Sequence, residues 1–342
     1  MTHEFKTLVE TAIDWKKGGF QVVLATVVAL DGSSYRRPGV RMLLNNKGFW
    51  KGAVSGGCVE KEVYRESQSV FETGQPKMMS YDGRYRLGCE GVLYILLEPF
   101  DPEEAFIEAF FKSIDERKSF TISSYYENQE GEFKGMGSVI DLNMELFSIG
   151  GVDILREEKG QSAVFKQDLS PCFKLLVIGA EHDAVKLSKY ALLTGWEVTV
   201  IARSNELKSA EHFSGAHFMQ IMAPENINAM QIDQQTAVVL MTHNFAIDLR
   251  YLVALKETTP NYIGLLGSTR RRDDLLSQFI EYCPEVTDEF LDVIYGPAGI
   301  DIGSETPEEI AVSIVSEILA VNRNRETYSL RKKSGKIHSK SK

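Results

Sequence analysis

Cysteine is scarce in this sequence, and what there is lies far apart: Cys58, Cys89, Cys172 and Cys283 in 342 residues. Such spacing excludes the disulfide framework of a small secreted module and leaves reduced thiols available for chemistry, which points to the cytoplasm. No apolar run approaches the roughly 20 residues of a membrane span. The opening MTHEFKTLVETAIDWKKGG reads as an amphipathic helix on Phe5, Leu8, Val9, Ala12, Ile13 and Trp15, not as a secretory signal. Positive charge is short as well. Lys and Arg number 38 against 48 Asp and Glu, a net charge of −10, so the body is no electrostatic match for nucleic acid. The one basic run, RKKSGKIHSKSK at 331–342, has no apolar periodicity and reads as a disordered tail.

What is present is an ordinary folding composition, 43% hydrophobic and 25% charged, in a chain long enough for two domains. The first half mixes strand and helix patterns. QVVLATVVAL reads as a buried strand, VRMLLNN and GFWKGAV as a hairpin, CVEKEVYRESQSVFETG as a helix ending near Gly74, and VLYILLEP as a further strand. SYDGRYRLGCEG between them reads as a loop. A helix is expected over 102–118, then antiparallel strands in TISSYYE, FKGMGSVID and MELFSIGG. Polar, irregular residues at 153–172 suit a linker. From KLLVIGA onward strands and helices alternate, which argues a doubly wound parallel sheet of the Rossmann type. The expected fold class is α/β. An N-terminal mixed α+β domain over 1–152 precedes the linker, a Rossmann-like domain covers 173–325, and a basic tail covers 326–342.

The chemistry concentrates in 31–62, DGSSYRRPGVRMLLNNKGFWKGAVSGGCVEKE. Arg36, Arg37 and Arg41 can meet an anion. Ser55, Gly56 and Gly57 permit a tight turn with free N–H groups. Cys58 then opens a helix, where the positive end of the dipole favours the thiolate. Cys89 stands between Gly88 and Gly91 just before a strand, so both thiols sit at the edges of regular elements. The competing reading is a plain β-turn with a small buried cysteine. In the second half, Gly179-Ala180-Glu181-His182-Asp183-Ala184 occupies the position of a dinucleotide-binding turn with only one of its glycines. Ala202, Arg203 and Ser204 stand where an acidic residue would accept the ribose of NAD, and Arg203 suits a 2′-phosphate. His243 and Asn244 end a strand at the ligand edge of such a sheet, where a polar strand end is the competing reading. Gly264 and Gly267 in GLLGS, and GPAGIDIG at 296–303, either cradle a phosphate or turn the chain. Of Arg270, Arg271 and Arg272, at most two can face one ligand on a helix.

Seven blocks in order resemble the XdhC/CoxI family, the xanthine dehydrogenase accessory proteins: GSSYRRPGVRMLL, GAVSGGCVE, GCEGVLYILLEP, KLLVIGAEHDAVKLSKYALLTGWEVTVIAR, VVLMTHNFAIDL, YIGLLGSTRRRDDLL and GPAGIDIGSETPEEIAVSIVSEILAV. The resemblance implies a carrier rather than a turnover enzyme. It would bind the molybdenum cofactor, a molybdopterin, hold it while a cysteine desulfurase supplies a sulfido ligand, and pass it to a molybdenum hydroxylase such as xanthine dehydrogenase. The cofactor's phosphate suits the arginines Arg36 and Arg41 or a glycine turn, and its soft metal suits the thiolates of Cys58 and Cys89. Ser55, Gly56, Gly57, Gly179, His182, His243 and Gly267 complete the expected contact set. A homodimer would match a dimeric client. The chain departs from the family at Glu181, at Ala202 and Arg203, at Asn244-Phe245, and at Glu90, so the first domain carries the expectation. An NAD(P)-dependent oxidoreductase is the alternative function, and a protein–protein adaptor the third.

Overall fold

In the computed structural model the described residues are 1–32, 37–57, 59–83, 91–150, 163–202, 210–220 and 222–333. Two compact units divide the chain, Met1–Pro171 and Cys172–Lys342.

The first unit opens with α1 (Thr2–Lys17), whose Phe5, Leu8, Val9 and Ala12 recur at helical spacing and are all buried. Strand β1 (Val22–Gly32) is buried on both faces over its first seven residues, as its unbroken apolar run requires. Strands β2 (Arg41–Asn45) and β3 (Trp50–Gly52) form the expected hairpin. Asn45 closes it by accepting from the N–H of Lys47 and Phe49 at 3.0 and 3.1 Å. Helix α2 (Glu60–Thr73) stops at Gly74 in the left-handed conformation, φ 68°. Strands β4 (Lys77–Asp82) and β5 (Gly91–Pro99), helix α3 (Glu104–Asp115), then β6 (Phe120–Tyr126), β7 (Gly131–Glu132), β8 (Gly137–Leu142), β9 (Glu145–Ser148) and β10 (Ala163–Leu169) complete the unit.

Two antiparallel sheets result, ordered β3-β2-β1-β5-β4-β7 and β10-β6-β8-β9. One face of the larger sheet, with Leu24 and Leu43, packs on α1, α3 and the Ile122, Ile140 and Leu169 side chains of the smaller sheet. Phe5, Phe106 and Phe110 meet there at ring separations of 5.7 and 5.6 Å. Each such buried ring contributes about 1.5–3 kcal/mol. The opposite face, with Ala25, Met42, Leu44 and Ile95, is covered by Val63 and Val70 of α2.

Three expectations need correction here. Residues 163–169 are not linker but edge strand β10, paired along its whole length with β6. Its inward positions include Gln167 between Phe165 and Leu169, so a polar residue on the buried face disguises the alternation. Residues 77–82 form β4 where the loop reading began at Ser80, because Met79 and Tyr81 point into the core on either side of the polar Ser80. In the expected tail, Leu330–Lys332 make a 3₁₀ turn capped by the Ser329 hydroxyl.

The second unit runs β11 (Lys174–Ile178), α4 (His182–Leu193), β12 (Glu197–Ala202), β13 (His217–Gln220), β14 (Thr236–Leu240), α5 (Phe245–Leu255), β15 (Tyr262–Leu265), α6 (Thr269–Tyr282), α7 (Asp288–Asp292), β16 (Ile294–Tyr295) and α8 (Pro307–Asn322). Its six strands are all parallel, in the order β13-β12-β11-β14-β15-β16. Leu175 and Val177 face a core shared with α4 and α8, and Leu176 and Ile178 face one shared with α5 and α6. Helix α8 begins with the expected cap: the Thr306 hydroxyl accepts from Glu309 N–H, and the Glu309 carboxylate accepts from Thr306 N–H. Strand order reverses between β11 and β14, the place where such sheets open a ligand crevice.

Candidate functional site

Of the sequence-predicted residues in the first unit, Arg36, Cys58 and Cys89 lie outside the described residues. The turn before α2 is described on both sides of residue 58, and its amides are not free as expected. Glu60, 3% exposed, turns its carboxylate back to accept from Ser55 N–H at 2.8 Å and from Ser55 Oγ at 2.8 and 3.0 Å. Ser55 Oγ in turn accepts from Gly57 N–H at 3.1 Å and Val59 N–H at 3.3 Å. The chain's own carboxylate thus stands where an external anion was expected. Gly57 has φ 120°, which favours glycine. A side chain at Gly56 would meet open space, so packing does not require glycine there. The acid two residues past a cysteine was a visible signal of this closure, hidden by the stronger pull of a glycine turn and a helix dipole. Glu60→Ala is expected to cost the first unit about 1–3 kcal/mol and to speed amide exchange at Gly57 and Val59, while Glu60→Gln retains most of both. Denaturant unfolding and hydrogen exchange measure the two effects.

Arg41 is also not at the surface. Register places it opposite Thr26, on the face that looks toward the smaller sheet. It is 8% exposed, and its Nη1 donates to Gly39 O at 3.1 Å and to Gln167 Oε1 at 2.5 Å. Its guanidinium carbon sits 5.6 Å from the Phe5 ring centroid. Gly39 is glycine for a local reason: at φ 96° a Cβ would lie 2.4 Å from the Gln167 amide. Nearby, Glu98 is fully buried, its carboxylate accepting from Ser138 N–H at 2.7 Å and Ser138 Oγ at 2.6 Å, with Ser124 Oγ 2.7 Å behind. Burial raises the Glu98 carboxyl to about 7, against the pull of Ser138 and Arg41. Burial lowers the Arg41 guanidinium to about 10, against the pull of Glu98. The lone acid in VLYILLEP was the only sequence signal of this buried polar group.

At the switch point of the second unit, Gly179 ends β11 with φ 123°, and a Cβ there would lie 2.4 Å from Met241 O. Its hydrogen side faces the backbone at Met241, just past β14, so close packing is itself a reason for glycine there, beside the cofactor contact expected of it. Arg203, the expected 2′-phosphate partner, lies outside the described residues. Gly267 makes room for Arg271, whose Cδ would be 2.8 Å from a Cβ. Arg271 reaches from α6 to Asp248, 1% exposed, at 2.7 Å, and Asp248 also accepts from Thr242 Oγ1 at 2.6 Å. This buried tie was missed because Arg270, Arg271 and Arg272 were weighed for an external ligand and not for a partner within the chain. His182 is exposed at the start of α4, and His243, in the left-handed region at φ 55°, holds Nε2 3.7 Å from Asp183 Oδ2. Among the described residues, no group of three or more His, Cys, Asp or Glu is placed to hold a metal ion. None of the helices described is long and apolar enough to cross a membrane.

These features define a two-unit protein in which a Rossmann-type sheet, its glycine turn closed by its own strands, follows a mixed α+β unit. A family profile described as the XdhC Rossmann domain matches residues 175–318, and one described as the XdhC and CoxI family matches residues 15–82. The chain belongs to the XdhC and CoxI family. It is 28% identical over 338 residues to a Bacillus subtilis protein named as a probable xanthine dehydrogenase subunit, covering 93% of this chain and 98% of that one. It is 24% identical over 333 residues to an Escherichia coli protein named molybdenum cofactor insertion chaperone PaoD, covering 95% of this chain and 91% of that one. A crystal structure described as a xanthine dehydrogenase from Bacillus halodurans shares the fold with a TM-score of 0.77 at 25% identity, over 93% of this chain and 96% of that one.

Proposed function

We propose that this chain is a maturation factor that takes up the molybdenum cofactor as cargo and delivers it to a molybdenum hydroxylase of the xanthine dehydrogenase type. Coverage is the observation that carries the reading. The relative named as a cofactor insertion chaperone aligns over 91% of its own length, through both units of this chain. In this reading Cys58 and Cys89 offer soft thiolate donors to the metal, and Arg36 and Arg41 balance the cargo's phosphate. Gly56 and Gly57 present a surface without side chains beside Ser55, which Glu60 holds in shape. His182 and His243 line the crevice of the second unit. The cargo, held on the first unit, waits for sulfuration by a cysteine desulfurase partner, and a homodimer would meet a dimeric client. Few and adjustable contacts suit a protein that must let go.

The test is co-production with active cofactor synthesis, followed by purification and quantification of oxidised pterin per chain. Wild-type protein is expected to retain pterin, and Cys58→Ala and Cys89→Ala to retain markedly less. Wild-type protein free of pterin sinks the carrier reading. Full retention in both variants removes the thiolates from it.

A further inference from the structure

We propose that the tip of the β8–β9 hairpin is a docking knob for a partner protein that presents an apolar pocket rimmed by lysine or arginine, with Met144 as the inserted side chain. Leu142 pairs with Glu145, so Asn143 and Met144 alone make the turn. Their φ angles are 57° and 72°, both positive, as a two-residue type I′ turn requires. Asparagine suits the first of these positions. The second is a glycine position, because a Cβ in the left-handed region crowds the backbone. This chain places methionine there. Its side chain is 94% exposed, so packing within the chain does not offset the strain. A strained apolar side chain held out in water is accounted for by something outside the chain that takes it up.

The hairpin beneath the tip is firmly held. Asp141 Oδ1 accepts from Met144 N–H at 2.9 Å, and Phe147 packs inward on Phe106 with ring centroids 5.8 Å apart. A knob fixed in this way loses little freedom on binding. Leu146, 48% exposed, carries the apolar surface on along β9. Charge then selects the occupant. Register sets Asp168, Thr121, Asp141 and Leu146 in one row across the smaller sheet. Thr121 alternates with the buried Phe120 and Ile122, so the row lies on the outer face. Glu145 at the turn adds to Asp141 and Asp168, and none of these carboxylates forms an ion pair with a described residue. Lys166, one row away, is the cation that the described strands place on that face. Two such knobs brought together would oppose like charges, and an anionic lipid surface would repel them. A cationic rim around an apolar pocket is the matching surface. In the maturation reading, and resting on it, the partner is the cofactor-free molybdenum hydroxylase.

The test uses the full chain and a xanthine dehydrogenase-type hydroxylase produced without cofactor, with affinity measured by calorimetry at low and high salt. The wild type is expected to bind, and to bind more weakly at high salt. Met144→Gly should weaken binding about tenfold, the weight of one buried anchor, while raising the first unit's melting temperature by about 2–4 °C, since glycine relieves the turn. Met144→Asn, which also tolerates the left-handed region, should lose affinity likewise. A merely structural residue would not lower affinity while raising stability. No wild-type binding, or undiminished affinity in both variants, overturns the knob. Binding to anionic lipid vesicles that Met144→Gly abolishes overturns the protein partner in favour of a membrane. A tenfold loss in a chain whose wild type retains no pterin sinks the carrier reading and leaves the knob standing. Full pterin retention with undiminished affinity in both variants does the reverse.

Discussion

Replacing Glu98 by Gln flattens the pH dependence of the first unit's stability and raises that stability above pH 7. The folded carboxyl is held near 7 by burial, against an ordinary value of 4.5. Below about pH 4.5 both folded and unfolded chains carry the proton, and the neutral acid's contribution is fully present. As pH rises through 7 the folded state must either keep a proton that solvent would take or hold a charge away from water, and the contribution is lost. The gap between the two values corresponds to roughly 3 kcal/mol at most. For a unit of this size that is about 6–12 °C in melting temperature. Gln has the same shape. Its oxygen accepts from Ser138 N–H, and its amide donates to Ser138 Oγ, which turns its own hydrogen toward Ser124 Oγ. Urea unfolding of both proteins at pH 5 and pH 8 measures the difference of differences. A variant with the wild-type slope, or one less stable than the wild type at pH 8, contradicts the burial argument.

The core position of Glu98 marks the line between what the amino-acid order makes legible and what it does not. The Rossmann-type half is legible because its strands are short apolar runs, its helices are amphipathic, and Thr306, Pro307 and Glu309 spell a helix start. Strands β13 and β16 escape notice because four and two residues carry no period. In the first unit, residue type is visible but facing is not. Arg41 reads as a surface cation until the β1–β2 register sets it opposite Thr26 and turns it inward. The same limit applies to glycine. Gly179 and Gly267 look alike whether they admit a ligand, a neighbouring strand or an arginine stem, and only the 2.4 and 2.8 Å approaches separate the cases. Glu60 was legible as an acid near a cysteine, but its closing of the turn onto Ser55 is a matter of backbone direction that spacing does not encode.

Asp248→Ala is expected to be among the most damaging single changes in the second unit, at about 3 kcal/mol. The carboxylate is the shared acceptor for Thr242 N–H, Thr242 Oγ1 and Arg271 Nη2, at 3.3, 2.6 and 2.7 Å. Removing it leaves a cation that is only one-quarter exposed and a buried hydroxyl without their acceptor, a loss typical of breaking one side of a buried pair. Asp248→Asn should cost less, because an amide oxygen still accepts from Thr242. The double variant Asp248→Ala/Arg271→Met should lose less than the two singles combined, by about 1–2 kcal/mol, since neither partner is then stranded. Additive losses within about 0.5 kcal/mol would mean the pair is not coupled. The consequence reaches the crevice. Thr242 Oγ1 also accepts from Asn244 N–H at 3.2 Å, so the residues on both sides of His243 are fixed through Asp248. With that anchor gone, the Asn244 cap of α5 still holds one side of His243 but the Thr242 side is released, and the 3.7 Å approach of His243 to Asp183 is expected to weaken. Imidazole shifts of His243 in the wild type and in Asp248→Ala, compared by NMR, report whether that approach depends on the buried tie.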